Sequence, residues 1–93
     1  MNSPEIKEFI RLHSHLFWYT PEDKKEEISH ELLVETILNY GDMNDVRNLI
    51  KIIGIERLSE IFSGLQGRKI LNYYPEIYNF FTILVKKYAH PNI

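Results

Sequence analysis

The sequence predicts an all-α fold: a compact array of about five short helices in a single domain covering residues 1–93. Two observations carry this prediction. Apolar residues recur three or four positions apart along most of the chain, and helix-capping residues and glycines separate the apolar stretches. No sustained alternation of apolar and polar residues indicates a strand. A chain of 93 residues with 44% hydrophobic residues has enough material for one core, but not for a deep substrate cleft as well.

The first helix is predicted to begin at Ser3, a capping residue, with Pro4 at the first helical position. Apolar residues follow at helical spacing from Ile6 onward. We expect this helix to end near the apolar and aromatic cluster at residues 16–19.

The second helix is predicted to start at Thr20, a further capping residue, with Pro21 in its first turn. The fully charged stretch at residues 24–27 is expected to form an exposed turn. Apolar periodicity resumes over residues 28–40, and Gly41 ends the helix at a position where a left-handed residue is expected.

Two further helices are predicted in the middle of the chain. Asp42 caps the first of them, which covers residues 43–53 and is closed by Gly54. The next covers residues 55–63 and ends at Gly64. The short connections predict that neighbouring helices pack directly against each other.

A connection at residues 65–69 precedes the last long helix, predicted from Pro75 to about Tyr88. Its apolar stripe includes Phe80 and Phe81, which we expect in the core together with the other phenylalanines. The segment Ala89-His90-Pro91 is expected to end this helix.

Composition narrows the function classes. The chain has no cysteine, so disulfides and thiolate chemistry are excluded. No apolar run approaches the roughly 18–20 residues of a membrane span, and the N-terminus lacks a basic stretch followed by an apolar one, as a signal peptide would have. We therefore expect a cytoplasmic protein without membrane contact.

The sequence shows no catalytic, cofactor-binding or metal-binding constellation. His13 and His15 would point about 200° apart around a helix axis, so they cannot share a metal ion. Asp42 and Asp45 are better interpreted as helix-start residues than as a catalytic pair. The Gly-rich segment 64–69 lacks the spacing of a phosphate-binding loop. We expect a protein that is not an enzyme and needs no cofactor.

The C-terminal third is the one basic part of a chain whose net charge is -2. This part contains a single acid, Glu76, and four bases: Arg68, Lys69, Lys86 and Lys87. These bases make nucleic-acid binding the alternative hypothesis, against the simpler interpretation of solvated surface charge. The helix pair 43–53 and 55–63 has the layout of a helix-turn-helix, but the polar surface of the second helix has two acids and one arginine, which disfavours DNA.

Aromatic residues make up 13% of the chain and form clusters at predicted helix ends. The candidate interface residues are Trp18, Tyr19, Tyr73, Tyr74 and Tyr78. Tyrosine and tryptophan at a surface favour protein interfaces. The same residues could instead complete a small core and keep their polar ends in water, so both interpretations stay open.

Four short strings resemble a family of small bacterial proteins, over residues 16–85. They are Leu16-Phe17-Trp18, Leu38-Asn39-Tyr40-Gly41-Asp42, Gly54-Ile55-Glu56-Arg57-Leu58 and Asn79-Phe80-Phe81. The chain departs from the family pattern at Tyr19, where an acidic residue is usual, in a longer segment before Ile28, and in its additional N-terminal helix.

Genes of this family often lie beside genes for nucleotidyltransferase toxins of the abortive-infection type. The resemblance therefore implies an antitoxin-like partner of such a toxin. Our leading hypothesis is a non-enzymatic protein-interaction module that binds another protein, a toxin by this resemblance, or a second copy of itself.

Overall fold

The computed structural model describes residues 2–65 and 67–89, except for the side chains of Arg68, Tyr88 and Ala89. Within these ranges the chain forms helices and no strand, so the all-α prediction is confirmed. The α-helices are α1 (Pro4–Leu12), α2 (His30–Tyr40), α3 (Met43–Ile53), α4 (Ile55–Ser63), α5 (Arg68–Leu71) and α6 (Pro75–Ala89), with 3-10 segments at Ser14–Leu16 and Glu22–Glu27. No described helix is both long and apolar enough to span a bilayer.

Helix α1 starts as expected and ends early. The Ser3 hydroxyl accepts a hydrogen bond from the Ile6 amide at 3.3 Å, which confirms the predicted cap. The helix ends at Leu12 rather than near residues 16–19, because His13 leaves the helical conformation with φ -116°. The following 3-10 turn directs Phe17 into the core, where it is fully buried.

The cap of α2 is Ser29, and the prediction of a helix start at Thr20 is wrong. The Ser29 hydroxyl accepts a hydrogen bond from the Leu32 amide at 3.1 Å. The Thr20 amide instead donates to the Phe17 carbonyl oxygen, and the 3-10 segment that follows Pro21 has no side-chain cap. Thr20 thus belongs to a turn that leads away from Phe17.

The charged segment before α2 contains one buried lysine, which corrects the prediction of a fully exposed turn. Lys25 is 7% exposed. Its ammonium group donates hydrogen bonds to the Ser14 carbonyl oxygen at 3.0 Å and to the Glu22 carboxylate at 2.8 Å. Lys25 therefore fastens the 3-10 segment to the turn after α1, and these two acceptors compensate for burying the charge.

Asp42 caps α3 through a reciprocal capping box, which confirms its predicted role. Its carboxylate accepts from the Asp45 amide at 2.8 Å, and the Asp45 carboxylate accepts from the Asp42 amide at 3.0 Å. Gly54, between α3 and α4, has φ 86°, a conformation that side chains disfavour.

Gly41 differs from the expectation, because its φ of -82° is not left-handed. A Cβ atom at this position would lie 2.8 Å from the Ile37 carbonyl oxygen, so close approach and not handedness favours glycine here.

Helix α6 packs against α4 and buries only one of its two apolar faces. Phe81 and Val85 are almost fully buried. Phe80 is 53% exposed, which corrects its predicted place in the core, because it faces away from these two residues. The predicted connection at 65–69 also changes, since α5 begins at Arg68. The predicted end at His90 and Pro91 lies outside the described residues.

One apolar core connects the helices. Helix α1 contributes Ile6, Phe9 and Ile10 to this core. Helix α2 is the most completely buried element, and α4 and α6 close the other side of the core. Its fully buried side chains are Ile10, Phe17, Leu33, Val34, Thr36, Ile37, Leu49 and Leu58.

Candidate functional site

Four exposed aromatic side chains from three parts of the chain form one surface, which we call the aromatic patch: Trp18, Tyr19, Tyr40 and Tyr74. The ring centroids of Trp18 and Tyr19 are 4.9 Å apart, and those of Tyr40 and Tyr74 are 5.9 Å apart, both edge to face. The Tyr19 hydroxyl lies 3.3 Å from the hydroxyl of Thr36, which is one turn before Tyr40 on α2. This contact brings the two pairs to the same face of α2.

The patch presents aromatic surface to solvent. Trp18, the one tryptophan of the chain, is 74% exposed. The three tyrosines are 46% exposed at positions 19 and 40 and 49% exposed at position 74. The two edge-to-face pairs give the patch a large aromatic contact area.

Asn39 positions the C-terminal part of the patch. Its side-chain amide donates to the Asn72 carbonyl oxygen at 2.9 Å, and its side-chain carbonyl accepts from the Tyr74 amide at 3.2 Å. These two bonds connect the end of α2 to the loop between α5 and α6. Because Tyr40 follows Asn39 directly, the clamp holds Tyr74 beside Tyr40.

The phenols of the patch influence one another. The pKa of Tyr40 is raised above its ordinary value, mainly by the hydroxyl of Tyr74. The proximity of Tyr19 and Glu35 also raises this pKa. Tyr40 therefore keeps a neutral hydroxyl group at physiological pH, which can donate and accept hydrogen bonds at the rim of an interface.

The structure divides the predicted interface residues between surface and core. Trp18, Tyr19 and Tyr74 are exposed, whereas Tyr73 is 4% exposed and Tyr78 is half-buried. Tyr73 packs against Phe62 with ring centroids 5.5 Å apart, and Tyr78 packs against both rings. Tyr73 thus lies in the core with its hydroxyl buried rather than in water, and Tyr78 packs against the edge of the core.

Burial of Tyr73 leaves its hydroxyl without a hydrogen-bond partner among the described residues. It also raises the pKa of this phenol well above its ordinary value. Because its side chain is buried in the core, Tyr73 does not belong to the candidate site.

Sequence reasoning placed Tyr40 in the helical stripe of α2 and did not include it in the candidate interface. The signal that could have found it is its position as the last helical residue before Gly41, because a large ring at a helix end is seldom covered on all sides. Its neighbour Asn39 gave no such signal, since its partners are 33 and 35 positions away.

His13 and His15 belong to no group of three or more potential metal ligands within the described ranges. His13 lies at the core edge. Its Nδ1 atom is 2.8 Å from the Phe9 carbonyl oxygen, and its Nε2 atom is 2.8 Å from the Asp45 carboxylate. His15 is exposed. Nδ1 of His13 thus contacts the backbone of α1, and Nε2 joins the end of α1 to the start of α3.

The described basic side chains of the C-terminal third have different surroundings. Lys69 donates to the Glu31 carboxylate at 2.9 Å. Lys86 and Lys87 are exposed in the last turn of α6, where cations suit the helix dipole. The side chain of Arg68 lies outside the description. Nucleic-acid binding through these residues stays a prediction.

An apolar groove lies between α3 and α6, and we call it the α3–α6 groove. Its volume is about 350 Å³, and it is lined mainly by apolar side chains, with Arg47 at its edge. Met43 and Phe80 on opposite sides of the groove are each 53% exposed. Among its described lining residues, Arg47 is the one with an ionisable side chain.

In comparisons with protein-family models, curated proteins and solved structures, this chain has no match. The family resemblance over residues 16–85 therefore stays a prediction. The structure gives its strings physical roles: Phe17 lies in the core, Asn39 clamps the loop before α6, and Gly54 allows α4 to follow α3 directly.

Proposed function

We propose that this chain is a non-catalytic protein-interaction module that binds its partner through the aromatic patch. The observation that carries the proposal is the exposure of four aromatic rings, brought together from separate segments by Asn39 and by the Tyr19–Thr36 contact. Aromatic residues are enriched at protein interfaces, and tryptophan and tyrosine dominate their binding energy.

Trp18 is the central anchor in this proposal. Its indole is the largest exposed aromatic group, and its ring is held at a right angle to Tyr19. An apolar pocket on the partner would take the indole, and polar groups around that pocket would pair with the tyrosine hydroxyls. Because tryptophan and tyrosine have only two side-chain torsions each, ordering these rings on binding loses little side-chain entropy.

The partner we propose is a nucleotidyltransferase toxin, so that the chain acts as an antitoxin. This step rests on the resemblance over residues 16–85. Two of the resembling strings supply Trp18 and Tyr40, half of the aromatic patch. A protein that inhibits an enzyme by contact needs a binding surface and no catalytic group of its own, and the patch offers such a surface.

The test is affinity capture from the native host with tagged wild-type chain and the double variant Trp18→Ser/Tyr74→Ser. We expect the wild type to recover a nucleotidyltransferase and the double variant to lose it, with at least about a tenfold lower yield by quantitative mass spectrometry. Leu71→Ser is the matched control, since Leu71 is 80% exposed and lies outside the patch.

The captured enzyme is then expressed with and without the chain. Rescue of growth by the wild type and by Leu71→Ser, but not by the double variant, supports the antitoxin role. Recovery of no nucleotidyltransferase, or equal rescue by all three forms, contradicts the proposal. Circular dichroism of each variant excludes unfolding as the cause of lost binding.

A further inference from the structure

Helix α6 has a second apolar stripe on the side that faces away from the core. Glu76, Phe80, Ile83 and Lys87 follow one another at spacings of four, three and four residues, which places them along one face of a helix. All four are exposed, with Phe80 at 53% and Ile83 at 68%. The opposite face contains Phe81 and Val85, which are buried against the core. We call this face the outer stripe of α6.

The spacing of the outer stripe is symmetric about its centre, and the residues at its two ends are complementary in charge. An acid stands at its N-terminal end, a base at its C-terminal end, and two apolar residues lie between them. Consider a twofold axis that runs between two α6 helices, level with the midpoint of residues 81 and 82. It would place Phe80 beside Ile83 of a second copy and Glu76 beside the second copy's Lys87. In such an antiparallel pair every residue of the stripe meets a complementary one.

Charge decides between the two possible directions. A parallel pair would place Glu76 against Glu76 and Lys87 against Lys87, which is unfavourable at both ends. An antiparallel pair makes two ion pairs, and it also opposes the two helix dipoles. Neither Glu76 nor Lys87 forms an ion pair with another residue in the described part of the chain. Within the described residues, both charges thus have no ion-pair partner that a second copy would have to displace.

The α3–α6 groove adjoins the outer stripe, because Phe80 belongs to both. A helix laid along the stripe would extend over the edge of this groove and cover part of its apolar lining. Two helices of this length bury less than the roughly 1,200 Å² of standard interfaces, so a reversible dimer is expected rather than an obligate one.

From this symmetry we propose that the outer stripe of α6 is a self-association surface, which binds a second copy of the chain with the two α6 helices antiparallel. The contact is isologous, with Phe80 and Ile83 at its centre and the Glu76–Lys87 pairs at its two ends. It uses none of the residues of the aromatic patch, so one dimer presents two patches.

The first experiment is sedimentation equilibrium of the full chain from about 5 μM to 1 mM, the range in which a small interface associates. We expect a monomer–dimer equilibrium in which Ile83→Glu raises the dissociation constant more than about tenfold, because it brings carboxylates into the apolar centre. Leu12→Glu is the matched control, since Leu12 on α1 is also 68% exposed. A wild-type monomer throughout this range overturns the proposal, as does equal weakening by both variants.

The second experiment tests the antiparallel register by charge reversal. Glu76→Lys alone or Lys87→Glu alone places like charges at both ends and raises the dissociation constant about threefold to tenfold. An equimolar mixture of these two variants forms a heterodimer in which both ion pairs are restored, with an affinity near that of the wild type. A mixture that associates no better than the single variants overturns the antiparallel register. Trp18→Ser, which leaves the stripe intact, should dimerise normally.

Discussion

The Asp45 carboxylate has two partners at once. One oxygen accepts from the Asp42 amide and completes the capping box, and the other lies 2.8 Å from Nε2 of His13. The Asp42 amide holds the pKa of Asp45 below its ordinary value, since it stabilises the ionised form, and His13 acts in the same direction. One side chain therefore starts α3 and holds the end of α1 against it.

We predict that Asp45→Asn lowers the free energy of unfolding by about 1 kcal/mol at pH 7, because a neutral amide weakens the hydrogen bond from the Asp42 amide and the contact with His13. A carboxyl with a lowered folded-state pKa stabilises the protein above its unfolded pKa of about 3.8, and this stabilisation is lost as the pH falls through the folded value. The difference between wild type and variant should therefore shrink from pH 7 to about pH 2.5 in urea titrations.

Asp23→Asn is the control for this pH dependence, because Asp23 is exposed. It should unfold like the wild type at every pH. A difference for Asp45→Asn that stays constant down to about pH 2.5 would contradict the role assigned to the ionised carboxylate.

For single residues, the sequence predicts contacts between residues that are close in the chain and misses contacts between residues that are far apart in it. The spacing of Asp42 and Asp45 predicts a helix start, and the structure confirms it. The contact of Asp45 with His13 joins residues 32 positions apart, and no local pattern signals it. Lys25 is missed for the same reason, because its burial depends on the carbonyl oxygen of Ser14 in a different turn.

At the scale of elements, the region between α1 and α2 is the part of the chain where the predicted boundaries fail. Both Thr20 and Ser29 are capping residues that precede plausible helical segments. Local propensity does not choose between them. The choice follows from tertiary contacts, since Phe17 and Ile28 are buried and Lys25 fastens the intervening 3-10 segment. The helices that lie between glycines, α3 and α4, are predicted with correct bounds because their start and stop signals are local.

We predict that Ser29→Ala and Thr20→Ala have different effects on stability. The Ser29 hydroxyl satisfies a helix-start amide, so its loss should lower the free energy of unfolding by about 1 kcal/mol. The Thr20 side chain caps no helix, and its replacement should change stability by less than about 0.5 kcal/mol. Urea denaturation followed by circular dichroism measures both, and a larger loss for Thr20→Ala would contradict the observed helix start.

At the scale of the whole molecule, α1 is part of the core although it lies outside the stretch that resembles the bacterial family. Ile10 is fully buried, and Ile6 and Phe9 are nearly so. Residues 16–85 alone would therefore expose the apolar surface that α1 covers. One continuous core includes residues from both ends of the described chain.

We predict that Ile10→Ala lowers the free energy of unfolding by about 2–5 kcal/mol, through lost burial and a cavity. Domains of this size have a total stability of about 5–10 kcal/mol, so this loss is a large share of it and should lower the melting temperature by at least about 8 °C. Leu12→Ala, at an exposed position of the same helix, is the control and should have little effect. Thermal melts of both variants measure this difference, and similar melting temperatures would contradict the place of α1 in the core.

The position of Trp18 also makes the chain its own optical reporter. Its indole is the one tryptophan fluorophore, and it is mostly in water in the free chain. Its emission should therefore lie at long wavelength and change little when the core melts. A partner that covers the indole should shift the emission to shorter wavelength. Fluorescence of the unlabelled protein thus follows occupancy of the aromatic patch, while circular dichroism follows folding.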